Sequence, residues 1–169
     1  MSLKILVVDD APAVRLVLRS ALQKVGVDPH TIFEASNPGE AWVAFRRIRP
    51  EIVFMDLSLD GPRDLRGAAV APGPADAQAP RVIEAGEGLA RRMLYADPTL
   101  KLVVCTGHPP DSPAIREVIK FGAYCVFIKP VRMESVRRLF QLLSADGISN
   151  SPHPPPVEDP RGPAGELRG

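Results

Sequence analysis

Five short, largely apolar runs, separated by stretches with helical spacing, constrain this chain more than any other feature. They are Lys4–Val8, Thr31–Ala35, Glu51–Asp56, Lys101–Cys105 and Tyr124–Ile128. Runs of this length with little polar alternation suit strands covered on both faces. Between them, apolar residues recur every three or four positions. Pro12 fits a first helical turn, and Val14, Val17, Leu18, Ala21, Leu22 and Val25 follow until Gly26. Asn37-Pro38 opens a second helix with Ala41, Trp42, Phe45 and Ile48 as its stripe. A third, between Arg81 and Ala96, turns Leu89, Ala90, Met93 and Leu94 inward. A fourth runs from about Ser112 to Phe121 on Ile115, Val118 and Ile119, and a fifth from Met133 to Ser144 on Val136, Leu139, Phe140 and Leu143. Strands alternating with helices build a parallel sheet through right-handed crossovers. The expected fold is α/β: a flavodoxin-like, doubly wound five-stranded parallel sheet of order 2-1-3-4-5, with helices on both faces.

In such a sheet the residues that follow the strands line the ligand crevice. The first strand is followed by Asp9-Asp10, and the third ends on Asp56. Thr106 follows the fourth strand and Lys129 the fifth. Three carboxylates gathered at one edge repel one another and raise at least one pKa unless a cation neutralises them. A hard divalent ion with oxygen ligands, most simply Mg²⁺ retaining some waters, does so and leaves room for a phosphoryl group. Lysine supplies a point charge for phosphate, and the threonine hydroxyl a donor.

Composition narrows the classes. With 169 residues and 45% hydrophobic content, one core is expected, and the net charge of +1 lacks the basic footprint of a nucleic-acid binder. The opening apolar run Ile5–Val8 is too short for a membrane span or signal core, so a cytoplasmic protein without a membrane partner is expected. Two cysteines, Cys105 and Cys125, are too few for a disulfide scaffold and read as free buried thiols at opposite edges of the sheet. Residues 62–80 carry Ala, Pro, Gly, Asp and Arg with hardly a large apolar side chain, and read as a flexible inserted loop. Residues 148–169 read as a disordered Pro-rich tail, leaving 1–147 as the domain.

Four segments carry a resemblance: Ile5-Leu6-Val7-Val8-Asp9-Asp10, Val53-Phe54-Met55-Asp56-Leu57-Ser58-Leu59, Val103-Val104-Cys105-Thr106-Gly107 and Phe127-Ile128-Lys129-Pro130. In these the chain resembles a stand-alone response-regulator receiver domain of two-component signalling. The resemblance implies that Asp56 accepts a phosphoryl group from a histidine kinase or histidine phosphotransfer protein. It implies that Asp10, Asp56 and the Ser58 main-chain carbonyl hold Mg²⁺, with Asp9 acting through a metal-bound water. Thr106 and Lys129 would bind the phosphoryl oxygens, and Lys129-Pro130 would be cis. Such a protein is not a conventional enzyme, but it phosphorylates itself from phosphodonors and dephosphorylates itself. Only about twenty residues follow the fifth helix. Signalling is therefore expected through altered affinity for an unidentified protein target or through onward phosphorelay. Ser58 and His108 flank the site and are candidates for tuning it.

Two departures from the family pattern stand out. Val126 occupies the position, three before the lysine, where the family places Tyr or Phe, and the 62–80 stretch interrupts the segment after Asp56. A pseudo-receiver that binds a partner without phosphorylation is the alternative. A hydrolase of the haloacid-dehalogenase kind expects a second acid two residues after its aspartate, where this chain has Ser58.

Overall fold

The third strand, β3 (Ile52–Asp56), is buried along its whole length and lies in the middle of the sheet. The computed structural model describes residues 3–59 and 85–145. The expectations for 62–80 and for the 148–169 tail fall outside those residues. Along the chain, β1 (Ile5–Val8), α1 (Pro12–Lys24), a 3₁₀ turn (Pro29–Thr31), β2 (Ile32–Ala35) and α2 (Pro38–Ile48) precede β3. After it come α3 (Ala85–Ala96), β4 (Lys101–Thr106), α4 (Pro113–Lys120), β5 (Cys125–Ile128) and α5 (Met133–Ala145). All four strand pairings are parallel and the order is β2-β1-β3-β4-β5, as expected.

Side chains alternate across each strand, so one sheet feeds two cores. Leu6, Val8, Val53, Met55, Leu102, Val104 and Val126 face Phe45 of α2, Leu89 and Met93 of α3, and Ile115 and Val118 of α4. Ile5, Val7, Ile52, Phe54, Val103 and Phe127 face Leu18 and Leu22 of α1 and Val136 and Leu139 of α5. Each fully buried side chain of this size contributes roughly 1.5–3 kcal/mol, which is why the strands read as nearly unbroken apolar text. Local signals set the helix ends. The Asn37 and Ser112 side chains accept the backbone N–H groups of Glu40 and Ile115 at the starts of α2 and α4. Gly122, with φ 97°, turns the chain after α4, a conformation that other residues adopt with strain.

Three readings of detail are corrected. Val17 is 54% exposed and not part of the buried stripe of α1. At about 100° per residue it lies a full step around the helix from Leu18, beyond the sheet-facing arc. Trp42 sits at the rim of the core, half-buried, stacked on Phe45 at 5.6 Å and capped by the Arg92 guanidinium at 3.9 Å. Cys105 and Cys125 are free and buried, but they do not lie at opposite edges of the sheet. Cys105 pairs with Phe127 and Cys125 with Val103, so the thiols face the same core as diagonal neighbours. Their Cα atoms are then about 7–8 Å apart, past the ~7 Å limit for a bridge, as expected for free thiols.

Candidate functional site

Parallel strands bring their ends to one edge, and there the five expected groups collect. Asp9 is fully buried: its Oδ1 accepts the Ala11 N–H at 2.9 Å and its Oδ2 accepts Lys129 Nζ at 2.8 Å. Asp56, 5% exposed, accepts the Ser58 N–H on Oδ1 at 3.1 Å and Lys129 Nζ on Oδ2 at 2.6 Å. Lys129 therefore bridges the ends of β1 and β3 from β5. Its backbone N–H donates to the Thr106 carbonyl at 2.8 Å, tying the last residue of β4 to the lysine. The Lys129-Pro130 peptide is cis, as the resemblance implied. Thr106 is fully buried, and its Oγ1 accepts the His108 N–H at 3.2 Å. Ser58 is exposed and His108 half-buried at the same edge. Val126 is 1% exposed within the core, so no aromatic ring occupies its position.

Asp10 differs from its neighbours. It is partly exposed, and among the described residues no donor is seated on its carboxylate. One carboxylate oxygen from each of Asp9, Asp10 and Asp56 lies within 4.8 Å of the others. Among the described residues one ammonium, that of Lys129, is paired with these three carboxylates, an excess of two negative charges. Burial disfavours the Lys129 ammonium, but the hydrogen bonds and charges of Asp56 and Asp9 outweigh this and raise its pKa above the ordinary value. The lysine is thus firmly cationic. An all-oxygen donor set with an excess of two negative charges fits a hard divalent cation, and the open Asp10 carboxylate is the first ligand available to it.

Two contributors to the site escaped the sequence reading. Arg15, on the second turn of α1, donates from Nη1 to the main-chain carbonyls of Asp9 at 2.7 Å and Asp10 at 3.3 Å. Nothing in its spacing marks it among the other arginines. Gly86, in the first turn of α3, lies so close to the end of β3 that a Cβ there would sit 2.3 Å from the Asp56 carbonyl oxygen. A glycine inside an apolar helical pattern was the available hint. Its neighbour Glu87 is a buried carboxylate, 2% exposed.

No family profile matches the chain. The chemotaxis protein CheY of Thermotoga maritima is 27% identical over 136 residues, covering 80% of this chain and 92% of that protein. The sporulation initiation phosphotransferase F of Bacillus subtilis is 23% identical over 137 residues, covering 81% and 90%. Among solved structures, the receiver domain of NtrX from Brucella abortus superposes with a TM-score of 0.61 at 23% identity, covering 86% of this chain and 97% of that one. A CheY-like receiver domain protein from Methanospirillum hungatei gives 0.63 at 21% identity, over 86% and 98%. Among the described residues no helix is long and apolar enough to cross a membrane. Fold, strand-end chemistry and similarity over most of the chain converge: the chain is similar to the response-regulator receiver domains and has their fold.

Proposed function

We propose that this protein is a phosphorylation-dependent signalling receiver in which Asp56 takes a phosphoryl group from a histidine kinase or histidine phosphotransfer protein, with Mg²⁺ bound at Asp10, Asp56 and the Ser58 carbonyl and Asp9 acting through a bound water. The observation that carries this reading is the bridging of Asp9 and Asp56 by Lys129, with the open Asp10 carboxylate beside them. The Asp56 carboxylate attacks phosphorus in line as the donor nitrogen leaves, so the phosphoryl group passes intact from one ligand to the other. Three equatorial oxygens then need donors and counter-charge. Lys129 and the Thr106 hydroxyl would supply them, and Asp10 and Asp56 would hold a divalent cation whose charge would offset the remainder. The signal leaves as altered affinity for a target protein or as onward phosphorelay. We assign residues 1–147 to this domain, with 62–80 as an inserted loop and 148–169 as a tail.

The test is incubation with acetyl phosphate and Mg²⁺, followed by intact-mass measurement. One added phosphoryl group, lost in the presence of a chelator, is the expected result. No incorporation would leave a pseudo-receiver that binds partners without phosphorylation.

Asp10→Asn separates the metal's needs from the fold's. Two unit charges about 5 Å apart at an effective dielectric near 20 repel by roughly 3 kcal/mol before solvent and Lys129 offset most of it. The substitution should therefore raise the metal-free melting temperature by a few degrees, and weaken Mg²⁺ binding at least about tenfold. Calorimetric titration and a melting curve on one sample check both; unchanged affinity would remove Asp10 from the ligand set.

Thr106→Ala is expected to slow labelling, and Ser58→Ala or His108→Ala to change the half-life of the phosphorylated form. Wild-type behaviour in all three would take these side chains out of the reaction.

A further inference from the structure

The turn that carries Asp9 and Asp10 has an unusual support. It leads into α1 at Ala11, a residue without a side-chain cap for the helix, and the Ala11 N–H is taken by Asp9 itself. Helix starts ordinarily draw rigidity from a Ser, Thr, Asp or Asn cap, and here that rigidity must come from elsewhere. It comes from Arg15. Its side chain is only 16% exposed, and its Nη1 spans the carbonyls of Asp9 at 2.7 Å and Asp10 at 3.3 Å. Its Nε faces the other way, donating to Glu34 Oε2 on β2 at 3.3 Å. Glu34 is itself fixed: its Oε1 accepts Arg19 Nη1 at 3.2 Å, and Arg19 also donates to the carbonyls of Ile32 at 3.1 Å and Pro29 at 3.0 Å. A rigid planar fork thus ties the acidic turn to the strand on the far side of β1.

We propose that Arg15, anchored by Glu34, is a positioning residue that orients the Asp9-Asp10 turn, and so the Asp10 carboxylate, toward the divalent cation. The inference rests on the functional reading above and adds a residue that acts on the metal through its ligands. Planarity matters: lysine keeps the charge but cannot hold two carbonyls and a carboxylate in fixed directions.

Charge and position predict opposite signs. Removing a cation near an anionic metal site should tighten Mg²⁺ binding if Arg15 acts through charge alone. If Arg15 positions the ligands, removing it should weaken binding, by about tenfold as for other groups that orient metal ligands. The experiment measures the Mg²⁺ dissociation constant by calorimetry, the melting temperature, and the rate of labelling by acetyl phosphate in the wild type, Arg15→Met, Arg15→Lys and Glu34→Gln. Expected are a rise in dissociation constant of about tenfold in both Arg15 variants, a smaller rise in Glu34→Gln, and recovery of labelling at saturating Mg²⁺. A purely structural role would lower the melting temperature without moving the affinity of the folded protein. Should Arg15→Met unfold, Glu34→Gln tests the same tie from its half-exposed end. Tighter or unchanged Mg²⁺ binding in the Arg15 variants, or in Glu34→Gln if Arg15→Met unfolds, overturns the positioning role while the functional reading stands. Failure of the wild type to bind Mg²⁺ overturns both.

Discussion

Replacing Asp56 with asparagine should abolish phosphate incorporation while leaving the protein folded. The amide is nearly isosteric with the carboxylate, so it keeps the Oδ1 acceptor for the Ser58 N–H and fits beside Lys129, which retains Asp9 at 2.8 Å. What it loses is the proposed nucleophile. A neutral amide oxygen does not form the acyl phosphate, and no other carboxylate in the cluster shares the position of Asp56 at the end of the central strand. Labelling should therefore fall below detection, with a melting curve close to the wild type's. Hydroxylamine sensitivity of the wild-type adduct together with its loss in alkali identifies an acyl phosphate, since a phosphohistidine survives alkali. Persisting hydroxylamine-sensitive labelling in Asp56→Asn would move the acceptor to another acid and undo the assignment.

The second large effect is expected at Gly86, far from Asp56 in sequence. A methyl group there would meet the Asp56 carbonyl oxygen at 2.3 Å and the Leu57 carbonyl oxygen at 2.5 Å. Both are backbone atoms of a buried strand end, so relief requires α3 to lift off the sheet or the strand end to move. Overpacking that displaces backbone costs typically 1–3 kcal/mol, and Gly86→Ala should lie at the upper end, near 2–3 kcal/mol. Urea denaturation should show a lower midpoint with an unchanged slope. The same displacement acts on the residue that carries the nucleophile, so labelling at saturating Mg²⁺ should slow by about tenfold even where the variant is folded. A loss below about 0.5 kcal/mol would show that the start of α3 yields freely.

The buried Cys105 beside this edge is a bystander. Burial first, then the proximity of Cys125, Asp56 and Asp9, pushes its thiol well above the ordinary pKa against the opposing charge of Lys129. It is therefore held protonated and unreactive in the folded protein.

The linear text by itself determined the topology and which polar groups gather at one edge of the sheet. Doubly covered strands must be apolar on both faces, so β1, β3, β4 and β5 announced themselves as unbroken runs. A parallel order then forces every strand end to one edge, which brings Asp9, Asp10, Asp56, Thr106 and Lys129 together. Where periodicity was asked for more than a face it failed, as at Val17, because a stripe does not say how wide an arc the sheet covers. The reach of the side chains was decided only by tertiary structure. Arg15 reads like any helix arginine until the strand pairing sets Glu34 beside it and the Asp9-Asp10 carbonyls beneath it. Gly86 reads as a weak helix former until α3 is laid against the end of β3. Such contacts join residues distant in sequence through distances of a few ångströms, and local propensity carries no information on that scale.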